Sequence, residues 1–263
     1  MDQPSPRKRF RWQEECAVFL LTVQFLTRLP VRDPGLWSPV RMARIPAWFP
    51  AVGVVTGAVM AAIWLAAGAL WPPALAAALA VAAGLLLTGA FHEDGFADAC
   101  DGLGGGTDRD RALEIMRDSR LGTYGAAGLG MMLAGRVLAL AAMGPVAGAV
   151  ALVAGQALSR ASAVLAIATG RYVRDHGTAK PVQEGVARRD LAIALASAAA
   201  IAALALLWLP PGALLAGLAG AALGHLVMRS VYQRKLGGYT GDCLGAVQQC
   251  SELGFLLGVL AWL

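Results

Sequence analysis

Charged residues are scarce in this chain of 263 residues: they make up 15% of it, whereas 57% is hydrophobic, and the mean hydropathy is +0.60. A soluble domain of this length carries about 25% charged residues, so a soluble globular enzyme is excluded. No Asp, Glu, Lys or Arg occurs from Ile45 to Phe91. Apolar segments of about 20 residues can cross a bilayer core. The composition therefore predicts an all-α, polytopic transmembrane helix bundle, with residues 1–263 forming one membrane-embedded domain.

Paired cysteine motifs are also missing, and no cleavable leader is expected. The cysteines show no C-x-x-C spacing, which argues against a zinc or redox motif, and no disulfides are expected if the loops face a reducing cytoplasm. The first apolar run ends in Thr27-Arg28-Leu29-Pro30 instead of a small-residue cleavage site, so we expect no signal peptide. The net charge of +5 does not indicate nucleic-acid binding, because the basic residues lie in short loops beside apolar segments. Such residues set membrane orientation and contact anionic lipid.

The apolar segments predict about seven spans after a basic, disordered arm over residues 1–15 and an interfacial or half-buried helix over 16–29. Charge-free turns join the spans in pairs, and the intervening loops hold nearly every ionisable residue. The positive-inside rule places these loops in the cytoplasm, and the seventh span would leave the C-terminus outside. Gly217, Gly220 and Gly224 are spaced for close helix packing, and a homo-oligomer is compatible with the sequence. The predicted spans are 47–71, 74–91, 123–143, 146–169, 191–209, 213–228 and 244–263.

Carboxylates are concentrated in one stretch: eight of the 17 acidic residues lie between Glu93 and Asp118. In a helix over 92–102, Asp94, Asp98 and Asp101 would share one face within about 60°, with Glu93 just off it. Adjacent carboxylates repel unless a cation binds or some are protonated. Oxygen ligands suit a hard cation, and Mg²⁺ typically takes one or two carboxylates plus phosphate oxygens. The bland alternative is a solvated helix face, but most neighbouring residues are small or apolar.

The flanking residues suggest further contacts. Glycines between 102 and 106 are expected to break the helix, and Thr107–Asp110 fits a capping box for an amphipathic helix to Asp118. Arg117 and Arg120 lie near the turn at Gly122 and could bind phosphate. These observations make both arginines candidate substrate-binding residues.

A second polar segment, Gly237–Ala246, opens the last predicted span. Its Gly241 and Asp242 could bind an anion or bring a carboxylate to a metal. Glu252 lies within that span, where a carboxylate is functional or paired. Its candidate partners are Arg136, Arg160 and His225, and the choice between structural pairing and substrate contact stays open.

Three function classes fit a membrane bundle with carboxylates: Mg²⁺-dependent transfer on a pyrophosphate substrate, cation transport and intramembrane aspartyl proteolysis. The protease signature G-x-G-D is absent, since Tyr-Thr-Gly precedes Asp242. Transporters usually place ionisable groups near the midplane of several helices, whereas most acids here lie in one loop. Their position favours an enzyme acting on a substrate that enters from the cytoplasm. Among such enzymes, the CDP-alcohol phosphotransferase pattern is not matched after Asp101-Gly102.

Several motifs resemble the cobalamin synthase family, the adenosylcobinamide-GDP ribazoletransferases. They are H-E-D-G-F-A-D-A-C-D-G-L-G-G-G from His92, R-A-L-E-I-M-R-D-S-R-L-G-T-Y-G from Arg111, G-G-Y-T-G-D-C-L-G-A from Gly237, and F-L-T-R-L-P from Phe25.

The resemblance covers essentially the whole chain and implies a Mg²⁺-dependent enzyme of the cytoplasmic (inner) membrane with its site facing the cytoplasm. Such an enzyme would join adenosylcobinamide-GDP to α-ribazole or its 5′-phosphate and release GMP. With this substrate, we expect Asp94, Asp98 and Asp101 to be catalytic. The predicted metal ligands are these three residues together with Glu93 and Asp242. The predicted substrate-binding residues are Arg117, Arg120, Gly241 and Asp242.

Overall fold

The computed structural model describes residues 6–32, 35–174 and 185–263, with side chains from residue 12 onward. Helices make up most of this part of the chain and it contains no β-strand, so the predicted all-α class is confirmed. The α-helices are α1 Pro6–Leu26, α2 Pro39–Met42, α3 Phe49–Gly68, α4 Pro73–Thr88, α5 Phe91–Gly105, α6 Arg109–Ile115, α7 Thr123–Ala141, α8 Pro145–Thr169, α9 Arg188–Ala205, α10 Pro211–Leu236 and α11 Gly241–Trp262, and a 3₁₀ turn at Ile45–Trp48 precedes α3.

Within the described residues, five segments are long and apolar enough to cross a membrane: α3 with its 3₁₀ turn, α7, α8, α10 and α11. The pair α4–α5 would make a sixth, but its two helices meet at 92°. The bend lies at Gly89 and Ala90, whose φ angles of 68° and 56° are left-handed. The number of candidate spans is therefore smaller than the seven predicted. The predicted span 191–209 falls largely on α9, whose 18 residues include Arg188, Arg189 and Asp190.

Helices α8 and α11 form the centre of the bundle, with 78% and 67% of their most apolar windows buried, against 17% for α10. α8 packs against α3, α9 and α11, and α11 also packs against α5 and α10. A Cβ at Gly220 or Gly224 would lie closer than 3.0 Å to a backbone carbonyl of α11, and one at Gly217 would overlap Phe255 and Val259. The predicted close packing through these glycines is confirmed.

Polar side chains form a layer across the middle of the bundle. One apolar cluster lies at the end with the long loops and includes Phe96 and Tyr239. A second lies at the end with the short proline turns and includes Trp64 and Phe255. On α3, α7, α8 and α11, buried polar residues separate members of the two clusters. We call the following set the polar layer: Thr56, His92, Glu93, Arg136, Gln156, Ser159, Arg160, Gln248, Gln249 and Glu252.

The N-terminal helix lies against the loop end of the bundle. Its inner face is buried through Val18, Leu21 and Leu26, while other faces are exposed, as a half-buried helix requires. α1 begins at Pro6, inside the segment predicted to be a disordered arm. Within α1, Glu14 and Glu15 pair with Arg41 and Arg44 at 2.7 Å each. Residues 1–5 of the predicted arm lie outside the described residues.

Candidate active site beside the carboxylate helix

The acidic stretch forms helix α5, as the i, i+4, i+7 spacing predicts. Its carboxylates become more enclosed along the helix: Asp94 is exposed, Asp98 is half-buried and Asp101 is buried. α5 lies very close to the start of α11, because a Cβ at Gly95 would be 3.1 Å from the Cα of Asp242. As a result, the carboxylate of Asp98 is repelled by those of Asp242, Asp94 and Asp101. The predicted grouping of α5 with Asp242 is thus present in the fold.

Arg174 supplies positive charge to this group of carboxylates. Its Nη2 lies 2.7 Å from Oδ2 of Asp242, and the two side chains are only 16% and 18% exposed. Thr240 donates to the same carboxylate oxygen at 3.3 Å and also accepts from the backbone N–H of Cys243, so it caps α11. From the sequence, the basic loop 170–190 with Arg174 is a plausible substrate contact, but an ordinary positive-inside loop is the favoured interpretation, so Arg174 is absent from the predicted site residues.

Two loops distant in sequence hold Arg174 in place. The backbone N–H of Tyr239 donates to the carbonyl of Arg171 at 2.9 Å, and that of Val173 donates to the carbonyl of Tyr239 at 3.1 Å. A Cβ at Gly238 would overlap the Arg171 carbonyl, so the close approach requires glycine there. The segment Gly237–Ala246 therefore contributes Asp242 to the site and also receives the loop that carries Arg174.

Asp101 connects α5 to the first turn of α7. Its carboxylate oxygens accept the backbone N–H groups of Gly122 at 2.7 Å and Gly125 at 2.8 Å. These donors are otherwise unpaired at a helix N-terminus, where a negative charge is favourable. A Cβ at either glycine would overlap the carboxylate. Asp101 thus caps α7, and both of its oxygens already have partners.

Glu93 points away from Asp94 and into the polar layer, where it is only 6% exposed. It accepts from Arg136 at 2.9 Å and from Gln249 at 3.0 Å. Arg136 also pairs with Glu252 at 2.6 Å, with both side chains 2% exposed. Of the three candidate partners of Glu252, Arg136 is therefore the one that pairs with it directly. Glu93 contributes to this buried ion cluster, which joins α5, α7 and α11.

The other predicted binding residues lie around the site without forming ion pairs to the α5 carboxylates in the described structure. Arg117 is exposed, and Gly241 is the first residue of α11. Arg120 pairs with Asp118 at 2.6 Å on the surface. Hydrogen bonds from Arg120 lower the pKa of Asp118 to about 2. The substrate-binding roles of Arg117, Arg120 and Gly241 stay predictions.

The glycines that follow Asp101 do not break the helix as predicted, because α5 continues to Gly105. A Cβ at Gly102 would overlap Met116 and the Ala112 carbonyl, and one at Gly104 would overlap the ring of Tyr124. These glycines let α6 and α7 pack against α5. The cap of α6 is Asp108 rather than Thr107, since the Asp108 side chain accepts the N–H of Arg111.

The site's charge balance bears on the predicted metal. Burial and the neighbouring carboxylates raise the pKa of Asp98 to about 7. Fully ionised, Asp94, Asp98 and Asp242 would carry three negative charges, against the one positive charge of Arg174 among the described residues in contact with them, which is an excess of two. Oxygen donors with this excess fit a hard divalent cation. In the part of the chain that the structure describes, no three His, Cys, Asp or Glu side chains already converge as a metal-binding group. A cation at this site would therefore depend on local adjustment and on oxygens from substrate or water.

The fold and site define a multi-pass helical membrane protein with a carboxylate-lined centre at its loop end. The sequence profile described as cobalamin-5-phosphate synthase matches residues 18–260, and the chain belongs to that family. The resemblance seen in the motifs is thereby confirmed, as is its assignment to a family of transferases.

Three relatives carry the name adenosylcobinamide-GDP ribazoletransferase. The protein of Leptothrix cholodnii is 44% identical over 257 residues, covering 94% of this chain and 96% of the relative. That of Ralstonia nicotianae is 41% identical over 261 residues, with 95% and 97% covered. That of Shewanella frigidimarina is 38% identical over 256 residues, also with 95% and 97% covered. No solved structure matches this chain.

Proposed function

We propose that the protein joins adenosylcobinamide-GDP to α-ribazole, or to α-ribazole 5′-phosphate, and releases GMP. The products are adenosylcobalamin or its 5′-phosphate. The observation that carries this proposal is the group of carboxylates Asp94, Asp98 and Asp242 beside Arg174, in a chain whose relatives are named for this reaction. A diphosphate substrate brings phosphate oxygens, which Mg²⁺ and an arginine bind readily.

The proposed Mg²⁺ ligands are Asp94, Asp98 and Asp242. Bound there, Mg²⁺ would supply charge neutralisation for the diphosphate and the departing GMP. Glu93 and Asp101 position these ligands by fixing helix α5. Glu93 accepts a hydrogen bond from the polar layer, and Asp101 accepts two from the start of α7. This division of roles refines the predicted ligand set of Glu93, Asp94, Asp98, Asp101 and Asp242.

The bond changes follow from the substrates. The 5′-oxygen of the acceptor forms a bond to the phosphorus that stays on cobinamide, and the bond from this phosphorus to the bridging oxygen breaks. The bridging oxygen leaves with GMP. If the acceptor is α-ribazole, its hydroxyl proton passes to a carboxylate of the site; a 5′-phosphate acceptor needs no such base.

We place the loop end of the bundle at the cytoplasmic face of the inner membrane. The reason is charge asymmetry: basic residues occur in the loops at this end, whereas the turns at the other end, Pro72-Pro73, Gly144-Pro145 and Pro210-Pro211, carry none. Basic loops face the cytoplasm in most membrane proteins. The substrates would then reach Asp94 and Asp98 from the compartment in which nucleotides are made.

The test uses purified protein in detergent. GMP should be released from adenosylcobinamide-GDP only when both α-ribazole, or its phosphate, and Mg²⁺ are present. An Asp98→Asn variant that folds should lose at least about 100-fold in turnover if Asp98 stabilises the transition state. Full Mg²⁺-dependent turnover by this variant would contradict the role of Asp98. Absence of GMP release, together with Mg²⁺ flux into proteoliposomes, would instead support a cation transporter.

A further inference from the structure

Among the described residues, Arg174 is the cationic side chain in direct contact with the carboxylates of the site, and it pairs with a carboxylate that the proposed metal needs. Its Nη2 lies 2.7 Å from Oδ2 of Asp242, and it donates a longer bond of 3.4 Å to the carbonyl of Met116. The Nε of Arg174 is buried and has no hydrogen-bond partner. The guanidinium therefore has donor capacity that this arrangement leaves unused, since a guanidinium can make five hydrogen bonds.

The carboxylates around Arg174 repel one another strongly. Asp98 is repelled by Asp242, Asp94 and Asp101, and within the described residues Arg174 is the positive charge that attracts it. A divalent cation and a guanidinium beside the same carboxylates would repel each other, because both are positive and the enclosed site screens charge poorly. A bound divalent cation therefore weakens the interaction of the guanidinium with the carboxylates, and the guanidinium weakens binding of the cation.

From this geometry we propose that Arg174 is a substrate-binding residue for the diphosphate. In this structure, Asp242 holds the guanidinium of Arg174. When a divalent cation occupies the carboxylates, the guanidinium leaves Asp242 and binds a phosphate oxygen of the substrate. This inference rests on the proposed function and assigns a residue of that same site. Arginine suits the role because its planar fork binds phosphate in a bidentate manner.

The experiment measures Mn²⁺ binding to the detergent-purified protein by electron paramagnetic resonance, without any substrate. An Arg174→Gln variant should bind Mn²⁺ at least about five-fold more tightly than the wild type, because a competing positive charge is gone. The same variant should show a KM for adenosylcobinamide-GDP that is roughly ten-fold higher, since a charged phosphate contact is lost. An unchanged or weaker Mn²⁺ affinity in Arg174→Gln would overturn the inference.

The matched control is Arg171→Gln, in the same loop. The Arg171 side chain is exposed and its backbone carbonyl alone joins the loop pairing, so both readouts should stay at wild-type values. A double variant, Arg174→Gln with Asp242→Asn, should lose the gain in Mn²⁺ affinity, because the freed oxygen is then no longer charged. A gain that persists in the double variant would overturn the exchange at Asp242.

A conservative variant covers the case in which Arg174→Gln fails to fold. Arg174→Lys keeps the charge but lacks the fork, so Mn²⁺ affinity should stay near wild type while the KM rises; an unchanged KM would overturn the phosphate contact. If the wild type binds no Mn²⁺ and turns over without a divalent cation, the metal part of the proposed function fails as well. An unchanged Mn²⁺ affinity in Arg174→Gln alone removes only the inference about Arg174.

Discussion

Removing Arg136 should destabilise the protein far more than removing Arg120, although the two residues make ion pairs of equal length. The pair Arg136–Glu252 and the pair Arg120–Asp118 both have an N–O distance of 2.6 Å. They differ in surroundings: the first two side chains are each 2% exposed, whereas those of Arg120 and Asp118 are 87% and 39% exposed. The same substitution, Arg→Gln, therefore tests burial at constant contact geometry.

The magnitude follows from the partners of Arg136. It donates hydrogen bonds to Glu93 and Gln249 and forms an ion pair with Glu252, and two hydrogen bonds at about 0.6 kcal/mol each inside a membrane protein would contribute about 1 kcal/mol. Loss of the arginine also leaves buried carboxylates without their cation, and breaking a buried pair in this way costs about 3–5 kcal/mol. We expect Arg136→Gln to lose about 3–5 kcal/mol of unfolding free energy, and Arg120→Gln to show no measurable change because its pair is exposed to solvent.

The assay is reversible unfolding in mixed micelles with increasing dodecyl sulfate, followed by tryptophan fluorescence. Glu252→Gln added to Arg136→Gln should recover about 0.5–3 kcal/mol, because it removes an unpaired buried charge. Equal losses in Arg136→Gln and Arg120→Gln would refute the reasoning, since burial would then make no difference. An additive double variant would show that the two residues do not interact.

Three further predictions concern packing, capping and topology. Gly254→Ala should destabilise by about 1–3 kcal/mol, because its Cβ would overlap the Gly220 carbonyl, whereas Gly130→Ala, with open space at its Cβ, should stabilise by about 0.5–1 kcal/mol; equal effects in unfolding curves would contradict the packing of α10 on α11. Asp101→Ala should lose about 1–2 kcal/mol by uncapping α7 and should weaken Mn²⁺ binding less than Asp98→Asn does in the resonance titration, whereas an equal or larger drop in that affinity would instead make Asp101 a ligand. A membrane-impermeant maleimide should label Cys16 in inside-out vesicles only. It should label a cysteine introduced by Leu70→Cys, which is exposed at the turn end, in intact spheroplasts only. The reverse pattern would show that the bundle has the opposite orientation in the membrane.

The face of α5 was predictable because the i, i+4, i+7 spacing depends only on helix geometry. The sequence limited the partner of Glu252 to three candidates, one of which was Arg136, because a buried carboxylate in an apolar span has few cations within reach. Arg174 could not be assigned, since its place depends on the backbone pairing of two loops far apart in sequence. Glycine composition also misled the reading of residues 102–105, where packing against Met116 and Tyr124 outweighs the low helix propensity of glycine.

The bend between α4 and α5 was likewise not predictable from the sequence pattern. Residues 74–91 have uniform apolar composition, and only the left-handed conformations of Gly89 and Ala90 divide them from the acidic helix. Hydropathy averages over such a break and therefore predicts a straight span. What the average misses is the change of direction that brings Glu93 into the polar layer and Asp94 to the surface.

The polar layer also constrains the order in which the chain can be assembled during synthesis. Arg136 emerges on α7 long before α11 is made, and an unpaired arginine at the centre of a membrane helix costs about 2.5–3.5 kcal/mol on insertion. Glu93, already synthesised on α5, is the carboxylate available to it at that stage. Glu252 arrives with the last helix, so the pairing of Arg136 with both carboxylates can be complete only after the C-terminal segment has been synthesised.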